Sequence, residues 1–134
     1  MNTYIDFINP EGLSKNPAYS QAAITKGPGS TIYIGGQNAM NKNQEISGKG
    51  DIKLQTASAL ENIETALNAC NAQLDDLVKL TIYIVQGQDV HQGFLGAQPF
   101  LKKLKNPPVI SGVIVAGLAN PDYLVEIEAI AFKP

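Results

Sequence analysis

The chain contains no arginine, one cysteine and one histidine. Each scarcity excludes something. A single cysteine, Cys70, cannot form an internal disulfide. A single histidine, His91, with no Cys/His cluster around it, provides no ligand set of the zinc type, and no metal site is expected. Without arginine there is no planar guanidinium to hold a carboxylate through two parallel hydrogen bonds. Long hydrophobic runs are missing too. The most apolar stretch, Val109 to Ala119, is interrupted by Ser111, Gly112 and Gly117 and is too short to cross a bilayer. Residues 1–20 lack the basic start and continuous apolar stretch of a secretory signal. Together with the lone thiol, this places the expected setting in the reducing cytoplasm. Neither sign of charge dominates. The net charge of −2 offers no electrostatic footprint for nucleic acid or for an anionic membrane, and neither is expected as a partner. The small cluster Lys102, Lys103 and Lys105 reads as a solvated helix end. No glycine-rich loop has the spacing of a phosphate cradle. Gly27, Gly29, Gly35 and Gly36 lie around what reads as a hairpin, not between a strand and a helix.

What remains is an ordinary globular composition: 134 residues, 44% hydrophobic and 16% charged, which suits one domain over 1–134 with one core. Period-two runs predict strands over Thr3–Ile8, Gln21–Thr25, Thr31–Ile34, Leu77–Val85, Val109–Ala116 and Leu124–Lys133. The second and third flank the turn Lys26–Ser30 and suggest a hairpin. Asp51 to Cys70 carries Ile52, Thr56, Leu60, Ile63, Leu67 and Cys70 at spacings of three and four, which predicts a helix with one buried stripe. On that stripe Cys70 reads as a buried structural thiol. A second helix is predicted over Val90–Leu104, weakened by Gly93, Gly96 and Pro99. His91 reads as a surface residue at its start, and Asn38–Gly50 reads as loop. Two helices covering one face of a mixed six-stranded sheet give an α+β two-layer domain. The closing strand carries Val125, Ile127, Ala129 and Ala131 on one face and Leu124, Glu126, Glu128, Ile130 and Phe132 on the other. Two carboxylates among apolar neighbours suggest a cleft or a subunit contact. The large apolar groups of that face favour oligomer formation.

Five segments carry a further signal. They are Asn16-Pro17-Ala18-Tyr19-Ser20-Gln21, Ile32-Tyr33-Ile34-Gly35-Gly36-Gln37, Gly48-Lys49-Gly50-Asp51, Pro107-Pro108-Val109-Ile110-Ser111 and Val125 to Ala131. In this order and spacing the chain resembles the RidA/YjgF family from about Ile8 to Ala131. The resemblance implies a chorismate-mutase-like fold and a homotrimer whose sheets form a central barrel, with ligand clefts between subunits. It implies hydrolysis of reactive enamines and imines without any cofactor. By the same resemblance Tyr19 falls at a pocket tyrosine and Gly36 at a backbone donor. Glu126 falls at the catalytic glutamate that positions water. Ile110 falls where active members carry the arginine that grips the substrate carboxylate, in a stretch reading Pro-Ala-Arg-Ser. A charge-assisted hydrogen bond contributes roughly 1.5–3 kcal/mol, so losing a bidentate pair weakens a carboxylate ligand by at least about one to two orders of magnitude. The expected partner is therefore a small neutral or partly apolar metabolite bound at Tyr19, Gly36, Ile110 and Glu126. An imine deaminase with an altered substrate is the alternative. A ribonuclease or translation inhibitor, a role attached to some family members, is disfavoured by the acidic balance.

Overall fold

The computed structural model describes residues 2–134. Six strands and two helices follow one another as β1 (Ile5–Ile8), β2 (Ala22–Thr25), β3 (Ser30–Gln37), α1 (Ile52–Ala69), β4 (Leu77–Val85), α2 (Val90–Leu101), β5 (Val109–Val115) and β6 (Val125–Lys133). A one-turn 3-10 helix, Leu74–Asp76, precedes β4. The α+β class is as expected, but the six strands divide. Four form a sheet of order β3-β6-β4-β5, and β1 and β2 form a separate two-stranded ladder. In the larger sheet β6 is antiparallel to both neighbours, whereas β4 and β5 are parallel. A parallel pair needs a crossover, and α2 supplies it.

The expected hairpin between β2 and β3 does not form. β2 pairs with β1, from Ile5 opposite Thr25 to Ile8 opposite Ala22, and β3 pairs with β6. The Lys26–Ser30 segment instead carries the chain from one sheet to the other. The Lys26 N–H donates to the Tyr4 carbonyl at 2.9 Å, and Gly27, at φ +83°, lies against the Tyr4 ring. Gly29 passes so close to the end of β6 that a Cβ there would come within 2.6 Å of both the Lys133 carbonyl oxygen and Phe132 Cζ. Phe132 is consequently buried rather than presented on an open face.

α1 begins where Gly48 and Gly50, both at positive φ, turn the chain. The Asp51 carboxylate then accepts the Leu54 N–H at 3.1 Å and satisfies one of the free donors of the first turn. Its buried stripe is Ile52, Gln55, Thr56, Ala59, Leu60, Ile63 and Leu67. The stripe stops one turn before Cys70. That residue caps the helix end, Asn71 follows at φ +57°, and the thiol is exposed, not buried. α2 is capped by Asp89, which accepts from the His91 and Gln92 N–H groups. It ends at Leu101, three residues short of the sequence expectation. Beyond it the Leu104 N–H bonds to the Leu101 carbonyl, a tighter pitch than α-helical.

β6 is the central element. Val125, Ile127, Ala129 and Ala131, none more than 3% exposed, form the floor of the core under α1 with Leu60, Ile63, Leu67 and Leu80. The loop 38–50 is held to α1. The Asn62 side-chain amide donates to the carbonyls of Asn38 and Met40, and Ala39 is buried. The segment is loop, as expected, and its attachment to α1 is what its polar composition did not reveal.

Candidate functional site

The alternation that buries one side of β6 aims Glu126 and Glu128 at the opposite side of the sheet. Both are half-buried there. β3 meets this strand through an irregularity between Ile34 and Gln37, which places Gly35 and Gly36 outside the regular ladder. Gly36 lies directly against Glu126: a Cβ at that position would sit 2.6 Å from the carboxyl carbon and 2.9 Å from Cγ. Only a residue without a side chain leaves the carboxylate where it is. Two residues expected to share a site are thus in contact.

Tyr83, which sequence reasoning passed over, completes this face. It stands opposite Glu126 across the β4–β6 ladder and donates its phenolic hydrogen to Glu128 Oε1 at 2.6 Å. The available signal was the alternation of Lys79, Thr81 and Tyr83 with Leu80, Ile82 and Ile84 along β4. The hydrogen bond to Glu128 raises the phenol above its ordinary value of 10.0, with burial and the charges of Glu128 and Glu126 adding to it. The fold holds this phenol protonated beyond the point where the unfolded chain releases it. The bond therefore stabilises the fold fully below pH 10.0, and that contribution is lost as the pH climbs through the raised value. In an ultraviolet titration, one of the five tyrosines is expected to ionise later than the rest. That late step should vanish in Tyr83→Phe and move down in Glu128→Gln. Five tyrosines titrating together would refute the assignment. Beside this cluster lies an open recess of about 350 Å³ bordered by Tyr33, Gly35, Lys79, Thr81, Glu128 and Ile130.

Tyr19 and Ile110 belong to the other side of the sheet. In the β4–β5 register Ile110 and Gly112 pair with Leu80 and Ile82, so they share the helix-facing side. Together with α2 and the loop bearing Tyr19 they enclose a cleft of about 550 Å³. The loop is fixed beside β5 by Ser20, which is 2% exposed. Its hydroxyl donates to the Pro107 carbonyl at 2.6 Å and its N–H to the Pro108 carbonyl at 3.0 Å. The Asn16 side-chain oxygen accepts the Ala18 N–H within the same turn. His91 and Phe94, on the first turns of α2, also border the cleft. His91 is exposed, as expected, yet faces a cavity that the sequence did not announce. None of the lysines borders this cleft. Lys102 and Lys105 flank an adjoining depression that shares Ala18, Phe94 and Leu101 with the cleft, and Lys103 lies over the Phe100 ring at 5.4 Å.

The four residues expected to form one site therefore arrive as two pairs. Gly36 and Glu126 occupy one face of the sheet, Tyr19 and Ile110 the other. Among the described residues no three His, Cys, Asp or Glu side chains converge as a metal-binding group, and no helix is long and apolar enough to cross a membrane.

The family model described as endoribonuclease L-PSP matches residues 12–133. The chain belongs to this family, the RidA/YjgF proteins. A RutC family protein of Pyrococcus horikoshii is 35% identical over 121 residues, covering 86% of each chain. A 2-iminobutanoate/2-iminopropanoate deaminase of Dermatophagoides farinae is 32% identical over 114 residues, covering 84% of this chain and 83% of the relative. Among solved structures, the Rid family protein YyfB from Yersinia pestis superposes with a TM-score of 0.86 at 32% identity, over 96% of this chain and 98% of its own. The α+β architecture is thus the family's fold.

Proposed function

We propose that this RidA/YjgF protein acts as a homotrimer that binds a small neutral or partly apolar metabolite in clefts between subunits, with little or no hydrolysis of 2-imino acids. The observation that supports it is the separation of the two pairs. One protomer cannot bring Glu126 to Ile110, because the sheet lies between them. A neighbouring copy that set its Gly36–Glu126 face against the Tyr19–Ile110 cleft would complete a single pocket. In such a pocket Ile110 offers apolar surface and no charge. A carboxylate brought against it would be desolvated without a partner, at a cost of several kcal/mol on the order of a lost charged hydrogen bond. Glu126 would accept a hydrogen bond from an amine or hydroxyl of the ligand.

A second reading is favoured by the same residues. Tyr19, Gly36 and Glu126 are all present, and a relative at 32% identity is named as an imine deaminase. In this reading Glu126 orients a water toward the imine carbon and another group anchors the substrate. Ammonia release from 2-iminopropanoate separates the two. With purified protein the rate is expected to stay at that of buffer, and a rate well above it would overturn the first reading. Ile110→Arg is expected to restore a small activity at most, since Val109 also departs from Pro-Ala-Arg-Ser. The ribonuclease reading finds no support in a net charge of −2 without a basic stripe. RNA binding that persists near physiological ionic strength would revive it.

A further inference from the structure

We infer that the ligand of this cleft carries an uncharged ring or branched apolar group, seated beneath α2 in the part of the inter-subunit pocket that one protomer supplies, and that Gly112 and Phe94 set the size it admits. The inference rests on the reading above that Ile110 leaves the cleft without a cationic anchor. The cleft holds about 550 Å³, within the range of about 300–1,000 Å³ typical of small-molecule sites. A three-carbon imino acid would leave most of that space to water. Its walls are Ile82, Ile84, Val125, Ala97, Leu101 and Ile110. Water against such walls is poorly held, and an apolar group that displaces it gains affinity. The polar members, Asn16, Tyr19, Thr56 and His91, are few, and the Thr56 hydroxyl already donates to the Ile52 carbonyl at 2.7 Å, which suits one neutral hydrogen-bonding corner on the ligand.

Gly112 is the residue that keeps the chamber open. It interrupts the apolar run Val109-Ile110-Ser111-Gly112-Val113-Ile114-Val115 on β5. A Cβ there meets nothing within 4 Å, and its φ lies outside the positive range. A larger side chain is therefore tolerated by the backbone and occupies empty space. Phe94 stands at the mouth with 40% of its surface exposed, where a ring bound below would cover it.

The test uses benzamide, benzoate and acetamide with the full-length protein, by calorimetry and by backbone amide shifts. Benzamide is expected to bind and to move the signals of Ile110, Gly112, Phe94 and His91. Benzoate should bind roughly tenfold or more weakly, because its charge has no partner, and acetamide not measurably, because it lacks the ring. Gly112→Phe should weaken benzamide by at least roughly tenfold while its melting temperature stays near wild type, and Phe94→Ala should weaken it less. Equal binding of acetamide and benzamide, tighter binding of benzoate, no binding of benzamide, or an unchanged affinity in Gly112→Phe would each overturn the inference. The ammonia assay run in parallel tells the failures apart. A buffer rate with no benzamide binding sinks only the ring chamber, whereas rapid turnover of 2-iminopropanoate sinks the reading beneath it.

Discussion

Gln55→Ala is expected to cost about 3 kcal/mol of folding stability and to lower the melting temperature by roughly 10 °C. Gln55 is polar, lies on the inner stripe of α1 and is 0% exposed. Its amide is fully used. Nε2 donates to the Gly48 carbonyl at 3.2 Å and the Asp122 carbonyl at 3.0 Å, and Oε1 accepts the Leu124 N–H at 2.9 Å. These three bonds tie the turn that starts α1 to the turn that starts β6. Truncation strands the Asp122 carbonyl and the Leu124 N–H, leaves the Gly48 carbonyl with the Asp51 N–H alone, and opens a cavity. An unsatisfied buried group costs about 1–3 kcal/mol, less where water can enter from a loop, so a total near 3 kcal/mol is the reasonable sum. Urea unfolding should show a lower midpoint with an unchanged slope. A loss below about 1 kcal/mol would mean that the two turns hold themselves. The effect reaches the acidic face as well, because Glu126 lies two residues beyond Leu124 and inherits its position from that anchor.

The second large effect sets two glycines of α2 against each other. Both sit where α2 crosses α1, and an alanine in a helix interior is intrinsically better than glycine by about 1 kcal/mol. At Gly93 a Cβ would meet Ile52 Cδ1 at 3.5 Å and Thr56 Oγ1 at 3.7 Å, which is ordinary contact. Gly93→Ala should therefore raise stability by up to about 1 kcal/mol. At Gly96 the new atom would press into the Lys53 carbonyl oxygen and lie 3.1 Å from both the Lys53 carbonyl carbon and Thr56 Cβ. Backbone cannot swing aside as a side chain can, and overpacking typically costs about 1–3 kcal/mol. Gly96→Ala should lose stability despite the better helix former and push α2 away from α1. Thermal melts of the two variants should shift in opposite directions. A stabilised Gly96→Ala would show that the helices are not in the close contact described.

Much of this was legible in the sequence for identifiable reasons. β4 and β6 have long alternating or apolar runs, and α1 has a stripe sustained from Ile52 to Leu67, about four turns. Their types and nearly all their limits follow from period alone. Strand partners did not. Gly27 and Gly29 look like a hairpin turn, and only the close passages against Tyr4 and Phe132 show why the chain goes elsewhere. Cys70 continued the spacing of the α1 stripe but lies past the point where Asn71 reverses the backbone. The site was legible residue by residue and not as an arrangement. Glu126 and Gly36 could be named from their motifs. That they touch, and that Ile110 lies on the other side of the sheet, depends on a β-irregularity and a parallel register that span some ninety residues of separation or depend on a crossover. Tyr83 and Gly112 were missed because neither belongs to a recognisable motif.

The parity of the sheet also makes its two sides separable by mutation. Within one protomer the residues at 110 and 112 and the carboxylates at 126 and 128 lie on opposite sides of the sheet, so a substitution in either set leaves the packing of the other intact. Changes made on the two sides should accordingly add in their effects on folding, which lets an engineer vary one while reading it against an undisturbed background.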